Sequence, residues 1–382
     1  MKLAIFLGGY LPAKKYGGPV TSIANIVENL GEKMEISIIS NNHDLDEEKV
    51  LDGISLGWNQ IGKARVIYLY DKEFTKRRFV ELLTECTPDV VYLSSIFYYQ
   101  MNIPAIRAAK ELNIPIIMAP RGELCSDALN LGKRKKEVYL AMLKLSGLLK
   151  GLYYHTTSEE EYKATKNIFN VNDERIWLFS NMPCKPYNCR QISKRPGEAK
   201  FVFISRIQEK KNLLYAIEQI SKIEGNVIFD IYGPIEQETY WQKCKEAIKN
   251  VKSNVQIKYK GALEPGTSRN VFAKYHCFVF PTLSENYGHV IAEAISSGCL
   301  LILSRGTTPW DDIDGKGGCI CKLGDEQQWG NALETVVRMD ENNYCECVRE
   351  LSQYVNNKLA ISELKQKYMN MFKKCASWRE IK

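Results

Sequence analysis

The sequence predicts an α/β protein built as two doubly wound, Rossmann-like domains facing one another across a cleft. Short apolar runs alternate with stretches of helical periodicity, the alternation halts at a polar, proline-containing segment after residue 183, and it then restarts. At 382 residues and 45% hydrophobic content, the chain exceeds what one core usually holds and is ample for two.

In the first half, the strand-like runs are Lys2 to Leu7, Glu35 to Ile39, Arg65 to Leu69, Asp89 to Leu93 and Pro115 to Ala119, with helical stretches between most of them. Such runs suit parallel strands covered on both faces. Met1 to Pro12 has the lysine and short apolar run of a signal peptide, but no small-residue cleavage site follows and Lys14 and Lys15 come at once, so it reads as the first buried strand. This half forms a domain over 1–182. Residues 183–200, with the polar stretch Lys185 to Lys200, read as the linker. A second domain over 201–360 repeats the alternation through Phe201 to Ser205, Val227 to Tyr232, Val255 to Lys260, His276 to Phe280 and Leu300 to Ser304. The final helix, roughly Ile361 to Cys375, carries Leu364, Tyr368, Met371 and Phe372 on one face.

Composition narrows the class. No apolar run is long enough to span a bilayer. Twelve cysteines are scattered rather than framed, which predicts reduced thiols in a cytoplasm. Cys319 with Cys321, and Cys345 with Cys347, sit closer than paired zinc ligands usually do, so no metal site is expected there. The net charge of +7 is balanced along most of the chain and no recognition module appears, so nucleic acid is not expected as a partner. A concentrated share lies in Lys133-Arg134-Lys135-Lys136, followed by Val138, Leu140, Met142, Leu143, Leu145, Leu148 and Leu149. A basic amphipathic stretch over 133–150 can lie on an anionic membrane surface, and the same residues also suit a buried helix with a basic first turn.

The richest segment runs from Val279 to Gly298. It places Glu285 and Glu293 around Gly288, between an apolar strand and a helix marked by Val290, Ile291, Ala294 and Ile295. Ser284 to Gly288, including Asn286 and Tyr287, is then a strand-to-helix loop, and the free N–H groups around Gly288 and His289 attract a phosphate. Carboxylates on either side suit sugar hydroxyls, hence a nucleotide-sugar; a solvated loop glutamate plus a surface helix glutamate is the plainer alternative. Arg206 at a strand end and Lys211 at a helix start would converge on a diphosphate, with Lys210 left to solvent. Gly8-Gly9 and Gly17-Gly18-Pro19, at the end of the first strand and the start of the next helix, permit backbone approach to an anion or form a flexible turn; the dinucleotide spacing is absent.

Glu285 and Glu293 with Gly288 between them resemble the E-x7-E element of retaining glycosyltransferases of the GT-B fold, glycosyltransferase family four. Four more stretches resemble that family in its expected order: Phe6 to Tyr10 with Gly17-Gly18-Pro19; Ser180-Asn181-Met182-Pro183; Phe203 to Ile207 with Lys210-Lys211-Asn212; and Gly306 to Trp310. The resemblance covers nearly the whole chain. It implies that Arg206 and Lys211 hold the donor diphosphate, that Glu285 holds the donor sugar and Glu293 the ribose, that anomeric configuration is retained, and that the helix 361–382 packs back on the N-terminal domain. It also implies a leaving diphosphate stabilised without metal or other cofactor; a D-x-D string, Asp44-Leu45-Asp46, reads as a solvated loop. Two stretches depart from the family. Where many members carry a histidine near the reacting sugar, this chain has Arg121, which cannot act as a base and is assigned anion or sugar-oxygen binding, or else a loop ion pair with Glu123. Tyr232-Gly233-Pro234 has proline, without an N–H, where members often have a second glycine.

The expected protein is a cytoplasmic, possible peripheral-membrane hexosyltransferase that takes a UDP- or GDP-sugar and a glycan or lipid-linked oligosaccharide. The alternatives are a nucleotide-sugar epimerase or phosphorylase-like enzyme on the same scaffold, or a non-catalytic sugar-binding protein.

Overall fold

The computed structural model describes all residues except 14, 131–132, 185–191, 265, 360 and 378–382, together with the side chains of 126–127, 133 and 356–359. Lys14, Lys133's side chain, and most of Lys185 to Lys200's first half therefore lie outside the described residues. The chain divides into unit 1, Met1–Met182 with Ile361–Lys382, and unit 2, Pro183–Ala360.

Unit 1 contains β1 (Lys2–Phe6), α1 (Gly18–Leu30), β2 (Glu35–Asn41), β3 (Trp58–Ile61), β4 (Ala64–Leu69), α2 (Lys76–Cys86), β5 (Val90–Ser94), α3 (Tyr99–Glu111), β6 (Ile116–Ala119), α4 (Ser126–Asn130), α5 (Lys133–Leu145), β7 (Tyr153–Thr156), α6 (Glu159–Phe169) and β8 (Ile176–Leu178). The sheet order is β3-β4-β2-β1-β5-β6-β7-β8, parallel except where β3 pairs antiparallel with β4. Because successive side chains face opposite ways, β1 serves two cores at once. Leu3, Ile5 and Leu7 pack with α1 and the C-terminal helix Ile361–Ser377, whereas Ala4 and Phe6 pack with Phe79 of α2 and Met101 of α3. The C-terminal helix inserts Leu364, Tyr368, Met371, Phe372 and Cys375, all buried, and Phe372 meets Tyr92 of β5 edge-on at 5.9 Å between ring centres. Each such aromatic removes enough apolar surface from water to contribute about 1.5–3 kcal/mol.

Unit 2 contains β9 (Glu198–Ile204), α7 (Leu213–Ile220), β10 (Asn226–Tyr232), α8 (Glu238–Lys249), β11 (Val255–Tyr259), α9 (Ser268–Phe272), β12 (Cys277–Phe280), α10 (His289–Ser296), β13 (Leu300–Ser304), β14 (Gly318–Cys321), α11 (Glu326–Arg338) and α12 (Glu341–Leu359). Its order is β11-β10-β9-β12-β13-β14, with every pair parallel. The end of the stretch read as a linker is packed rather than free. Lys194 is 2% exposed and its ammonium donates to the carbonyls of Arg195, Val337 and Met339, which cap the end of α11. No helix among the described residues is long and apolar enough to cross a membrane.

Candidate active site

In unit 2 the chain leaves β9 toward β10 and β11, then returns to lay β12 against the other side of β9. The direction of strand order reverses there, and ligands of open α/β sheets bind beyond the strand ends at such a switch point. The loops after β9, β12 and β13 are laced together at that edge. Leu283 N and Thr282 Oγ1 donate to the Lys210 carbonyl at 2.9 and 3.2 Å, and Glu285 N donates to the Thr307 carbonyl at 2.7 Å.

This lacing brings Lys211 onto Glu285. Their side chains are 9% and 17% exposed and form a direct ion pair, with the ammonium 5.8 Å from the centre of the Phe280 ring. Burial holds Lys211 below the usual lysine pKa, Glu285 opposes that shift, and the nearby charges of Arg206 and Lys210 add to it. Arg206 is exposed and its guanidinium donates to Glu236 at 3.1 Å; Lys210 is exposed. Lys211 is not at a helix start. It closes a one-turn 3₁₀ helix, Glu209–Lys211, and Asn212 in the left-handed region (φ 55°) separates it from α7. Glu285 supplies the compensating carboxylate.

Gly288 opens α10 with φ 72°, a left-handed conformation that favours glycine, and a Cβ there would stand 2.8 Å from the tip of Ile291. No side-chain cap hydrogen bond forms at the Gly288 start of α10, and a helix start of this kind attracts an anion. Tyr287 is buried beneath this turn. Trp310 donates from Nε1 to the Tyr287 carbonyl at 2.6 Å, and Tyr287 packs against His289 at 4.7 Å between ring centres, while Asn286 is exposed. Glu293, one turn into α10 and half-buried, accepts from Ser268 Oγ at 2.7 Å. Desolvation raises its carboxyl above the usual range against the pull of Ser268 and Arg269. Gly233 has φ 138°, and a Cβ there would strike the Ser205 carbonyl, which fixes glycine between Tyr232 and Pro234.

Unit 1 places its polar groups at the carboxyl ends of its own strands. Gly17, exposed with φ 67°, precedes α1, which begins at Gly18. Gly8 and Gly9 admit a side chain of the protein itself: a Cβ on Gly9 would lie 2.0 Å from the Tyr16 ring. Asp44 is not solvated. It is 6% exposed and accepts from Lys15 N and Leu45 N at 2.9 Å each. Beside it, Asn41 and His43 both reach Asp71 Oδ1 at 3.2 Å, and Tyr98 donates to Asn41 at 2.8 Å. Arg121, with φ 58°, sends its guanidinium to Asn181 and to Tyr92 Oη, the latter at 2.8 Å. It makes no loop ion pair with Glu123, which accepts instead from Ser95 Oγ and the Ile96 N–H.

Ser268, Glu236 and the Tyr98–Asn41–His43–Asp71 cluster carry no signal in the sequence analysis. Their roles depend on partners distant in sequence, for which no local spacing exists. Among the described residues, no three His, Cys, Asp or Glu side chains group as metal ligands.

Comparison with solved structures shows the architecture to be the GT-B fold. HepE from Anabaena, crystallised with UDP and glucose, superposes with a TM-score of 0.70 at 12% identity, over 98% of this chain and all of that one (100%). A glycosyltransferase from Rickettsia africae gives a TM-score of 0.70 at 13% identity, over 98% of both chains. Residues 188–353, within unit 2, match the family model of glycosyl transferases group 1. A sulfoquinovosyl transferase of Arabidopsis thaliana is 22% identical over 288 residues, 68% of this chain and 52% of that protein, so the match spans about half the length of this curated relative.

Proposed function

We propose that the protein is a retaining glycosyltransferase that moves a hexose from a nucleotide-sugar to a glycan or lipid-linked oligosaccharide, in the biosynthesis of a polysaccharide or glycoconjugate. Unit 2 takes the nucleotide-sugar and unit 1 the acceptor. The observation that carries this reading is the buried Lys211–Glu285 pair beside the uncapped start of α10, at the switch point of a group 1 domain. HepE was crystallised with UDP-glucose as well as with UDP, which favours a UDP-sugar over a GDP-sugar donor.

Departure of the nucleoside diphosphate leaves negative charge on phosphate and oxocarbenium-like charge on the sugar. Lys211, Arg206 and the α10 amides stabilise the first without metal or other cofactor. Glu285 accepts hydrogen bonds from the donor sugar and Glu293 from the ribose. Gly17 and Gly18 let the backbone approach the donor, and Arg121 binds an anion or a sugar oxygen. The acceptor hydroxyl attacks the face that the diphosphate leaves, and a phosphate oxygen takes its proton. The reading places the protein in the cytoplasm, peripheral to the inner face of the plasma membrane, with 133–150 as the contact.

A thermal-shift panel of UDP, GDP and ADP with their sugars tests the donor. A ligand at a hundred times its dissociation constant adds roughly 2.7 kcal/mol, enough to raise the melting temperature by several degrees. Absence of a shift with every nucleotide would sink the reading, and release of free diphosphate without an acceptor would point to an epimerase.

A further inference from the structure

We propose that Cys319 and Cys321 are a peroxide-sensitive thiol pair, and that closing them into a disulfide loosens the loop that carries Glu285. The thiol chemistry stands by itself; its effect on donor alignment rests on the glycosyltransferase reading of that loop.

Side chains two apart on a strand point to the same face, so the C-x-C spacing that is too close for paired zinc ligands brings two sulfurs together instead. In β14 their Sγ atoms are 3.7 Å apart and hydrogen-bonded. The two thiols differ in access. Cys321 is 0% exposed, whereas Cys319 is half-buried and lines an open pocket of about 210 Å³ with Ile302, Val336, Met339 and Cys347, which admits a molecule of peroxide size. A hydrogen bond from the Cys321 thiol, opposed by burial and Asp314 and aided by Arg305, holds Cys319 below the usual cysteine range. Burial, with Glu350 and Glu346, pushes Cys347 the other way. A reachable thiol of raised thiolate character with a second thiol beside it is the arrangement that oxidation selects.

In the first step the Cys319 thiolate attacks hydrogen peroxide. An S–O bond forms, the O–O bond breaks, and the departing hydroxide takes up the proton that the thiol gave away and leaves as water. The Cys321 sulfur then attacks the sulfenic sulfur of Cys319: the S–S bond forms, the S–O bond breaks, and the second oxygen leaves as water with the Cys321 proton. Two electrons pass from the sulfurs to the peroxide, and two equivalents of a small-molecule thiol return them.

Closure cannot leave β14 as it stands. Residues two apart on a strand have Cα atoms roughly 6.6 Å apart, against about 5.5–6 Å for most disulfides, so the strand must pucker between them. β14 has 4 residues, lies last in the sheet order, and pairs with β13 through Ile302 opposite Cys319 and Ser304 opposite Cys321. The pucker therefore reaches the chain that leaves β13. The Cys321 carbonyl accepts from Arg305 N at 2.8 Å, and the Ile320 carbonyl accepts from the Arg305 guanidinium at 2.8 Å. Close by in sequence, Ser304 Oγ donates to the Thr282 carbonyl at 2.5 Å and Glu285 N donates to the Thr307 carbonyl at 2.7 Å. Residues 320–321 thus hold the segment 304–307, and that segment holds the Glu285 loop at two points.

The test starts from the full chain, fully reduced, then treated with hydrogen peroxide, alkylated and cut with trypsin. Cleavage after Lys316 and Lys322 releases the peptide Gly317 to Lys322, whose cysteines are Cys319 and Cys321. That peptide is expected two hydrogens lighter and unalkylated, and dithiothreitol should return it to the alkylated form. Hydrogen exchange followed by mass spectrometry should rise in 282–288 and 304–307 of the oxidised chain. The preference for UDP-glucose over UDP, read by calorimetry, should fall about fivefold, the size of one ordinary hydrogen bond. Cys319→Ser, and separately Cys321→Ala, should show neither the exchange change nor the loss of preference after peroxide. A bond from Cys319 to Cys347, oxidation of Cys319 with Cys321 still free, no oxidation of the pair, or unchanged exchange in both loops after the disulfide has formed overturns the assignment. Reduced protein that binds neither UDP nor UDP-glucose would refute the donor reading instead, and the peptide masses and the exchange would still decide this one.

Discussion

In the unliganded protein Glu285 compensates the ammonium of Lys211, yet the proposed reaction requires that ammonium at the diphosphate. The carboxylate and the incoming phosphate therefore compete. Glu285→Gln keeps the shape and removes the charge, so two effects of opposite direction follow. Breaking a buried pair costs about 3–5 kcal/mol, and because both side chains keep some exposure the lower end, about 3 kcal/mol, is expected in urea unfolding. Bare UDP, on the other hand, then meets a lysine that has no partner to give up. One charge-assisted hydrogen bond is worth about 1.5–3 kcal/mol, so UDP should bind the variant roughly tenfold or more tightly. Transfer should fall on the order of a hundredfold, because the sugar loses the carboxylate that aligns it. Lys211→Ala should do the reverse to UDP, weakening it by about 1.5–3 kcal/mol. The pH sign follows from the lowered Lys211 pKa: UDP affinity holds below that value and is lost as pH rises through it, sooner than for an ordinary lysine. Stability runs the other way, rising as the buried ammonium discharges between its folded and unfolded pKa values. Calorimetric titration of each variant with UDP and with the UDP-sugar decides the matter. Glu285→Gln protein that binds UDP no better than wild type would refute the competition.

Glu293→Gln should weaken UDP and the UDP-sugar alike by about 1.5–3 kcal/mol, a ribose contact being common to both, and calorimetry reads it. The same variant should melt higher at neutral pH, because a carboxyl whose folded pKa is raised stabilises the fold only at low pH and loses that contribution as pH rises through the folded pKa. Transfer assayed in excess EDTA should persist, and activity lost there and restored by manganese would assign a metal to the reaction.

Parallel strands such as β1 and β13 were legible because they are buried along almost their whole length and read as apolar runs. Strand β3, Trp-Asn-Gln-Ile, is only half-buried, and β7 carries a fully buried His155 whose polarity is satisfied at a distance by Tyr92 Oη at 2.8 Å and the Phe179 carbonyl at 3.1 Å. Neither has a local apolar signature. In the candidate site, Gly288 announces itself, since the residue there must take φ 72°. The Lys211–Glu285 pair spans 74 residues of sequence and exists because β9 and β12 are neighbours, so no spacing encodes it. Gly8 and Gly9 signalled a close approach but not by what, and Tyr16 is the group that makes it.

The two anion-attracting devices of unit 2 are mechanically joined. Lys211 is fixed through the carbonyl of its neighbour Lys210, which holds the loop leading to Glu285, and the same loop is tied by Glu285 N to Thr307. Three residues further on, Trp310 grips the Tyr287 carbonyl immediately before the α10 start. A ligand that draws Lys211 from Glu285 therefore acts on a loop whose other attachments set the position of the α10 amides. Diphosphate binding and sugar alignment are then coupled through one short segment, Thr282 to Gly288, rather than contributed by independent residues. That coupling acts alongside the direct competition for Lys211, so a change at Glu285 should alter UDP affinity and sugar alignment together.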